Sequence, residues 1–391
     1  MKVGFIAWER FGYGGVSRIL SSLVNALSEQ IEVKILCLKR ETAFENVYHI
    51  NTSRVAIDFM ELTFVQKLRR ELVNRLYAHT DFACYPKLLY AYPWLRFAHS
   101  YLSGITKWIN SNHFDIVIFG SGFEDCIQLA AIKSKVSTHT KLVAWSHASF
   151  KDYFRGESVK RDHSRQLLWQ HYYKRFDAIV VLSDADVACC RDTLHLDACR
   201  IYNSNSFKAC SRASLRGKRF LYVGALSYNK GSDLLIDAFC QFAQKNKDWT
   251  LDIYGDGPGM QYISQQIEMN HLEDRVKMHG YVNQVEAIYC QHDVLLFPSR
   301  YEGFGMVQIE AASCGLPVIA SALPITTELI GKYGYGALFE WNDAGAMAEL
   351  MLRFTEMDLS EMSEHGVQAA RNFCIDDIKD QWLALFEKLL K

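Results

Sequence analysis

Long apolar runs are missing from this 391-residue sequence. No stretch of about 18 residues is both apolar and free of charge, so no membrane-spanning helix is predicted. The apolar run at residues 3–8 is too short for the hydrophobic region of a signal peptide, and no small-residue cleavage site follows it. We therefore interpret this run as a first buried strand and predict that the protein stays in the cytoplasm.

Metal and disulfide patterns are missing as well. The eleven cysteines are scattered, with no Cys-x-x-Cys pair and no Cys/His spacing that suits zinc. The turn Gly12-Tyr13-Gly14-Gly15 lacks the full Gly-x-Gly-x-x-Gly spacing, which argues against an NAD-dependent oxidoreductase. We predict no disulfide, no metal site and no cofactor.

The sequence has almost no net charge, but its two halves differ. The net charge is −1, yet residues 1–205 hold 26 Lys and Arg against 20 Asp and Glu, whereas residues 206–391 hold 17 against 24. A basic first half suits an anionic partner, such as a membrane surface or a phosphorylated acceptor. Ordinary variation in surface charge explains the imbalance equally well. A nucleic-acid partner is not predicted.

The chain begins twice in a similar way, with an apolar strand, a glycine-containing turn, an amphipathic helix and a second strand. The first start covers residues 3–38 and the second covers residues 220–254. Strands that alternate with helices at this spacing predict parallel βαβ units. The length also suits two domains. The predicted fold class is therefore α/β, with two doubly wound domains.

The domain boundary is predicted in the polar stretch at residues 203–219, which has no strong periodicity. We divide the chain into domains at residues 1–205 and 206–391. The amphipathic segment at residues 381–390 is predicted to be a closing helix, which is free to pack back on the first domain. Further strands are predicted at residues 116–119, 142–145, 178–182, 276–279, 294–297 and 317–320.

One region does not follow the alternation of strands and helices. Residues 64–108 mix aromatic residues such as Phe64, Tyr90 and Trp108 with basic ones such as Arg69 and Arg75. This mixture favours a peripheral contact with the inner face of a membrane, or a surface that binds an acceptor. Helices packed beside the first domain explain it equally well.

The most informative segment, residues 293–321, reads as a buried strand, a tight loop, a helix and a second strand. The loop follows the carboxyl end of a strand, where ligands bind in open α/β sheets. Gly303 and Gly305 let the backbone approach a ligand at the helix start, where free amides and the helix dipole favour a phosphate. The carboxylates of Glu302 and Glu310 suit sugar hydroxyls, since each accepts two hydrogen bonds from a diol.

This segment resembles the Glu-x7-Glu signature of the family 4 glycosyltransferases, which are retaining enzymes of the GT-B architecture. That architecture has two facing Rossmann-like domains with a cleft between them. The resemblance extends over nearly the whole chain. It includes residues 223–231 as a phosphate-binding turn, residues 253–258 and 279–282 as loops beside the base, and Gly14-Gly15 as the glycine pair over the donor phosphates.

The resemblance implies a role for each matching residue. Glu310 would hold the ribose diol and Glu302 the hexose hydroxyls, while Lys230 and the amides of residues 303–305 would neutralise the diphosphate. Tyr281 would lie against the base and His147 would reach the sugar. The implied catalytic residues are His147, Lys230 and Glu302. The implied donor-binding residues are Gly14, Gly15, Gly224, Lys230, Gly257, Tyr281, Glu302, Gly303, Phe304, Gly305 and Glu310.

Two positions need separate interpretation. The family often has Arg where this sequence has Ala225, so either another basic residue such as Arg300 substitutes or the leaving group is stabilised less. Asp184-Ala185-Asp186 resembles a metal-binding Asp-x-Asp of a different glycosyltransferase architecture. Because Ser and Asp cap helix starts, an acidic helix N-terminus is the preferred interpretation.

The function implied by the resemblance is transfer of a hexose from a nucleotide-sugar, preferably a UDP-sugar, with retention of configuration. The implied acceptor is a hydroxyl of a glycan or lipid-linked molecule in the biosynthesis of lipopolysaccharide, capsule or another surface polysaccharide. Two alternatives stay open: a nucleotide-sugar epimerase or hydrolase of the same fold, and a catalytically silent partner subunit.

Overall fold

The computed structural model describes residues 1–7, 14–38, 46–79, 86–153, 159–205, 207, 209, 211–282 and 285–391. These residues form two compact units, one made of Met1–Ser204 and Ile375–Lys391, the other of Asn205–Cys374. Trp8, Gly12 and Tyr13, which the sequence analysis placed in the first strand and its glycine turn, lie outside the described residues. None of the described helices has the length and apolar character needed to cross a membrane.

The first unit is built on a parallel sheet, for which seven strands are described in the order β3-β2-β1-β4-β5-β6-β7. Its strands are β1 (Lys2–Ala7), β2 (Glu32–Cys37), β3 (Val55–Phe59), β4 (Ile116–Ser121), β5 (Lys141–Ser146), β6 (Ala178–Val181) and β7 (Cys199–Arg200). The central strands are apolar along most of their length because helices cover a parallel sheet on both faces.

The helices of the first unit follow the strands that they connect, as βαβ units require. They are α1 (Gly15–Leu27), α2 (Phe64–His79), α3 (Pro86–Arg96), α4 (His99–Asn112), α5 (Phe123–Ala131), α6 (Phe150–Tyr153), α7 (Val159–Tyr173), α8 (Asp184–Cys189) and the last helix of the chain, α16 (Ile375–Leu390). In α16 the indole of Trp382 is fully buried, with its ring centroid 5.0 Å from that of Trp145 in β5.

The second unit has a parallel sheet in which six strands are described in the order β10-β9-β8-β11-β12-β13. They are β8 (Arg219–Val223), β9 (Thr250–Tyr254), β10 (Val276–Gly280), β11 (Val294–Phe297), β12 (Val318–Ser321) and β13 (Gly336–Phe339). The helices are α9 (Ser232–Lys245), α10 (Met260–Met269), α11 (Glu286–Tyr289), α12 (Met306–Ser313), α13 (Pro324–Tyr333), α14 (Ala344–Glu356) and α15 (Ser360–Ala370).

The strands predicted from the sequence are confirmed to within two residues at each end where the structure describes them. Three strands were not predicted: β3, β7 and β13. Each lies at an edge of its sheet, and β13 has the sequence Gly-Ala-Leu-Phe with a glycine start. An edge strand buries less apolar surface than a central one, so its sequence carries a weaker pattern.

The strand order reverses once in each sheet. In the first unit the reversal lies between β1 and β4, and in the second it lies between β8 and β11. In open α/β sheets, the loops that leave the carboxyl ends of two such strands diverge and open a crevice for a ligand. The loop after β11 is the glycine-rich segment with Glu302, and the loop after β8 contains Lys230.

Candidate active site

The loops after β8 and β11 are joined directly by main-chain hydrogen bonds. The carbonyl oxygen of Asn229 accepts a bond of 2.8 Å from the N–H of Arg300 and a longer one of 3.4 Å from Tyr301. Gly231 makes this approach possible, because its φ is +67° and a Cβ there would lie 1.9 Å from the carbonyl oxygen of Pro298. The two loops therefore form one surface at the strand-order reversal.

Lys230 and Glu302 meet on this surface. The Lys230 ammonium donates a short hydrogen bond to Oε1 of Glu302, which also accepts from the hydroxyl of Ser299 at 3.3 Å. The Lys230 side chain is 36% exposed and that of Glu302 is 10% exposed. One cation that remains accessible to an anion thus lies beside a carboxylate that can accept sugar hydroxyls.

Arg300 does not replace the arginine that is missing at Ala225. Its guanidinium is buried and forms two bonds to Asp233, 2.7 Å and 2.8 Å long, together with bonds to the Tyr228 carbonyl and to Asn342. Burial by itself would raise the pKa of Asp233, but the hydrogen bonds and charge of Arg300 outweigh burial and lower it. Arg300 therefore fixes the loop that carries Lys230.

The turn into α12 depends on Gly305 and on a buried amide. Gly305 has φ +75°, and a Cβ there would lie 2.8 Å from Nε2 of Gln308. That Nε2 donates to the carbonyl of Phe304 at 2.9 Å, and Oε1 of Gln308 accepts from the Tyr335 hydroxyl at 3.0 Å. The Phe304 side chain is buried against Phe373, so a contact with a donor would come from its main chain.

Glu310 lies in the second turn of α12 and is almost fully buried, with 1% of its surface exposed. Its Oε2 accepts a hydrogen bond of 2.7 Å from the hydroxyl of Tyr289, which ends α11 and is also buried. A hydrogen bond to an ionised carboxylate is about twice as strong as one between neutral groups. Tyr289 therefore sets the direction of the Glu310 carboxylate.

Sequence reasoning missed Tyr289 and Asp233. Tyr289 belongs to no motif, and 21 positions separate it from Glu310. Asp233 lies two residues after the matched turn and looks like an ordinary acidic residue in the first turn of a helix. No local signal identifies either residue, because each acts through a contact that only the packing of separate elements creates.

The loop after β9 packs against the loop after β8 through glycines. A Cβ at Gly255 would lie 1.8 Å from the carbonyl oxygen of Gly224, and one at Gly257 would lie 2.6 Å from that of Leu226. Tyr281 follows β10, and 53% of its surface is exposed. These three predicted donor-binding positions, Gly224, Gly257 and Tyr281, belong to loops at the carboxyl ends of β8, β9 and β10.

The remaining predicted residues, Gly14, Gly15 and His147, belong to the first unit. The N–H of Gly14 donates to the hydroxyl of Tyr48 at 3.0 Å, and α1 begins at Gly15. A Cβ at Gly15 would have no neighbour within 4 Å among the described atoms. The main chain at the start of α1 is therefore open at Gly15 in the described part of the unit.

His147 lies at the carboxyl end of β5. The main-chain N–H of His147 donates to the carbonyl of Ser121 at 3.3 Å. The centroid of its imidazole ring lies 4.2 Å from that of Trp145. Nε2 is buried, with no hydrogen-bond partner among the described residues. Burial lowers the pKa of His147 to about 3, so the imidazole is neutral at pH 7. A contact with a sugar would use its hydrogen-bonding capacity and not a positive charge.

The Asp-x-Asp tripeptide forms the acidic first turn of a helix that Ser183 caps, which agrees with the interpretation preferred from the sequence. The Ser183 hydroxyl accepts from the N–H of Asp186 at 3.0 Å at the start of α8. The two carboxylates have different partners, since Asp184 bonds to Arg200 at 2.6 Å while Asp186 accepts from the hydroxyls of Ser149 and Ser183. Among the described residues, no group of three or more His, Cys, Asp or Glu could hold a metal ion.

Comparison with known protein families identifies the family to which the chain belongs. Residues 13–203 match the family described as Glycosyltransferase Family 4, and residues 206–373 match the family described as Glycosyl transferases group 1. The two matches together cover most of the chain. The chain belongs to glycosyltransferase family 4. It is therefore an enzyme that transfers sugar residues.

Three similar proteins illustrate the relationship. An uncharacterised glycosyltransferase of Haemophilus influenzae is 25% identical over 97% of this chain and 98% of its own length. The lipopolysaccharide core biosynthesis mannosyltransferase LpsB of Rhizobium meliloti is 26% identical over 43% of this chain and 51% of its own length. The crystal structure of Anabaena HepE in complex with UDP covers 99% of this chain and 100% of its own, with a TM-score of 0.71 and 17% identity.

The structural likeness confirms the fold of this family 4 glycosyltransferase: two Rossmann-like parallel-sheet units of the GT-B class. The structure brings Lys230, Glu302 and Gly305 to one strand-order reversal and puts Glu310 behind them in the same unit. The role of each of these residues toward a donor stays a prediction.

Proposed function

We propose that this enzyme transfers a hexose from a UDP-sugar to a hydroxyl of a glycan or lipid-linked acceptor, with retention of configuration. The observation that carries the proposal is the Lys230–Glu302 pair at the β8/β11 reversal, beside the glycine start of α12. The Lys230 ammonium and the amides at the start of α12 suit a diphosphate, and the Glu302 carboxylate suits sugar hydroxyls. Diphosphate and sugar are the two parts of a nucleotide-sugar that these groups would contact.

In the proposed mechanism, the bond between the anomeric carbon and the β-phosphate oxygen breaks while the acceptor oxygen bonds to the same face of that carbon. The acceptor proton passes to the departing phosphate oxygen. Lys230 and the amides at the start of α12 stabilise the negative charge on the diphosphate. Glu302 orients the hexose, and Glu310, directed by Tyr289, orients the ribose.

The choice of donor and acceptor rests on relatives. The HepE crystal structure contains UDP, which supports UDP over GDP as the nucleotide. LpsB acts in lipopolysaccharide core biosynthesis, which supports a surface-polysaccharide acceptor. An acceptor linked to a lipid would bring the enzyme to a membrane surface as a peripheral protein.

A thermal-shift panel with UDP, GDP, ADP and NAD tests the donor site. We expect UDP to raise the melting temperature of the wild type, because a ligand that binds only the folded state stabilises it, and Glu310→Ala to lose that shift. A shift with GDP and none with UDP would change the proposed donor from a UDP-sugar to a GDP-sugar. A shift with NAD only, or none with any diphosphate, would remove the donor site that we propose.

Product stereochemistry tests the mechanism. The enzyme is incubated with the UDP-sugar that stabilises it most and a panel of glycan acceptors, and the anomeric configuration of the product is read by NMR. An α-linked product from an α-linked donor supports retention, whereas a β-linked product contradicts it. Free sugar without transfer, or a changed sugar on the nucleotide, would point instead to a hydrolase or an epimerase.

A further inference from the structure

Helix α2 of the first unit carries an apolar stripe that faces solvent. The stripe consists of Phe64, Val65, Leu68, Leu72 and Leu76, which share one face of the helix by their spacing. Their exposed fractions lie between 41% and 79%. Large apolar side chains side by side at such exposure mark an interaction surface, because a folded protein rarely leaves them in water.

The opposite face of α2 attaches the helix to the unit. Val73 is buried on that face. Arg69 donates hydrogen bonds to the carbonyls of Trp94 and Leu95, 2.7 Å and 2.8 Å long, which ties α2 to the end of α3. Val73 thus marks the packed face of α2, while the bonds of Arg69 tie the helix to α3 at one edge of the stripe.

Basic residues accompany the stripe. Helix α2 contains Lys67, Arg69, Arg70 and Arg75 against a single acidic residue, Glu71. Arg75 is 73% exposed and lies 3.1 Å from Glu71, a surface pair of low strength. An anionic surface can therefore compete for Arg75. An apolar face with cationic flanks is the pattern of a helix that lies in the interface of an anionic membrane.

We propose that the α2 stripe inserts into the headgroup region of an anionic lipid bilayer and holds the enzyme at the membrane surface. The proposal deepens the proposed function, since a membrane contact brings the catalytic units to a lipid-linked acceptor. A second copy of the chain is a poorer occupant, because pairing two α2 stripes would bring two helices of net positive charge together. The excess of basic over acidic residues in residues 1–205 has the sign that an anionic bilayer requires.

Vesicle co-sedimentation tests this without donor or acceptor. The full chain is mixed with vesicles of phosphatidylglycerol and phosphatidylcholine, or of phosphatidylcholine alone, at low and high salt. We expect binding to the anionic vesicles, with binding weakened by salt and by removal of phosphatidylglycerol. No binding of the wild type to anionic vesicles at low salt would overturn the proposal.

Variants locate the binding to the stripe. Leu68→Ser combined with Leu72→Ser should reduce vesicle binding at least tenfold, because two exposed apolar side chains no longer enter the bilayer. Arg75→Gln should reduce vesicle binding about fivefold and make that binding less sensitive to salt. Met269→Ser is the matched control, since Met269 is 72% exposed in the second unit, and it should bind like the wild type.

Melting curves verify that each variant is folded. If the leucine double variant does not fold, Phe64→Ser combined with Val65→Ser replaces it. Wild-type vesicle binding by a folded stripe variant would contradict the proposal. So would a dimer, detected by light scattering, that these variants abolish, because the stripe would then be a self-association surface. Failure here leaves the donor-site tests unaffected, since those use UDP and soluble acceptors.

Discussion

The two sheets reverse their strand order in the same way, but they surround the reversal with different chemistry. At β8/β11 in the second unit, Lys230 pairs with Glu302 and Arg300 pairs with Asp233. Beside β1/β4 in the first unit, the Ser121 hydroxyl lies 3.3 Å from Asp125, whose charge is matched by Arg96 at 3.0 Å. His147, on the next strand, is neutral at pH 7.

The difference is therefore one of charge at the same place in two similar sheets. In the second unit an accessible cation is kept in position by neighbouring ion pairs, which suits a diphosphate. In the described part of the first unit, the groups at the strand ends are neutral or already paired, and they suit hydroxyl-rich ligands. We infer that the second unit holds the charged donor, and four substitutions test that division.

The largest effect is expected for Lys230→Ala. Loss of the cation beside the departing diphosphate should lower kcat at least tenfold and, by the usual cost of removing one stabilising group, about a hundredfold. Steady-state rates at saturating donor measure this, with the fold checked by melting. Lys245→Ala is the control, because Lys245 is exposed in the last turn of α9 and should keep wild-type turnover. A fully active Lys230→Ala would remove Lys230 from the mechanism.

Tyr289→Phe should raise the KM for the donor about fivefold to tenfold and change kcat less. The substitution deletes the hydroxyl that donates to Glu310 over 2.7 Å, so the carboxylate loses the orientation that we propose for binding the ribose. The preference for a ribose donor over its 2′-deoxy analogue should shrink in the same variant.

Tyr335→Phe is the matched control for that experiment. It removes another buried hydroxyl bonded to α12, here to Gln308 at 3.0 Å. It should lower stability without changing the preference between ribose and deoxyribose. An unchanged preference in Tyr289→Phe as well would limit Tyr289 to a structural role.

Glu302→Gln should change the affinity for UDP and the affinity for the UDP-sugar in opposite directions. Removing one negative charge beside Lys230 should tighten binding of UDP alone about threefold to fivefold, by relief of repulsion between the carboxylate and the diphosphate. Binding of the UDP-sugar should weaken because a sugar hydroxyl loses its ionised acceptor. Calorimetric titration measures both, and the gain for UDP should decline at high salt. Weaker binding of both ligands would contradict this assignment.

The smallest effect is expected for His147, and it concerns stability. The pKa of His147 is about 3 in the folded protein and about 6.5 when unfolded, so the unfolded chain binds the proton first. The free energy of unfolding is therefore highest above pH 6.5 and falls as the pH drops toward 3. His147→Gln should remove this loss, which amounts to about 1 kcal/mol at pH 6.

Urea unfolding at pH 7.5 and pH 6 measures the difference. His195→Asn serves as the control: His195 is exposed, and its φ of +54° is one that Asn tolerates. It should keep the wild-type dependence on pH. Equal losses of stability in His147→Gln and the wild type would show that the imidazole is not neutral in the folded protein.

Local sequence was sufficient for the parts of this protein that depend on neighbouring residues. The alternation of apolar strands and amphipathic helices fixed both Rossmann-like units, since each pattern reflects a face that must be buried. The glycines at 231 and 305 were readable as loop positions, because a positive φ excludes most other residues. The Ser183 cap of α8 was readable for the same reason: all its partners lie within three residues.

The tertiary structure alone decided which distant residues meet. The pairing of Lys230 with Glu302 and of Arg300 with Asp233 follows from the placement of β8 beside β11. The bond from Tyr289 to Glu310 follows from the packing of α11 against α12, the helices before and after β11. No local pattern contains these contacts. The burial of His147 and the exposure of the α2 stripe were decided in the same way. An amphipathic pattern shows that a helix has two faces, but only packing determines which of them is covered.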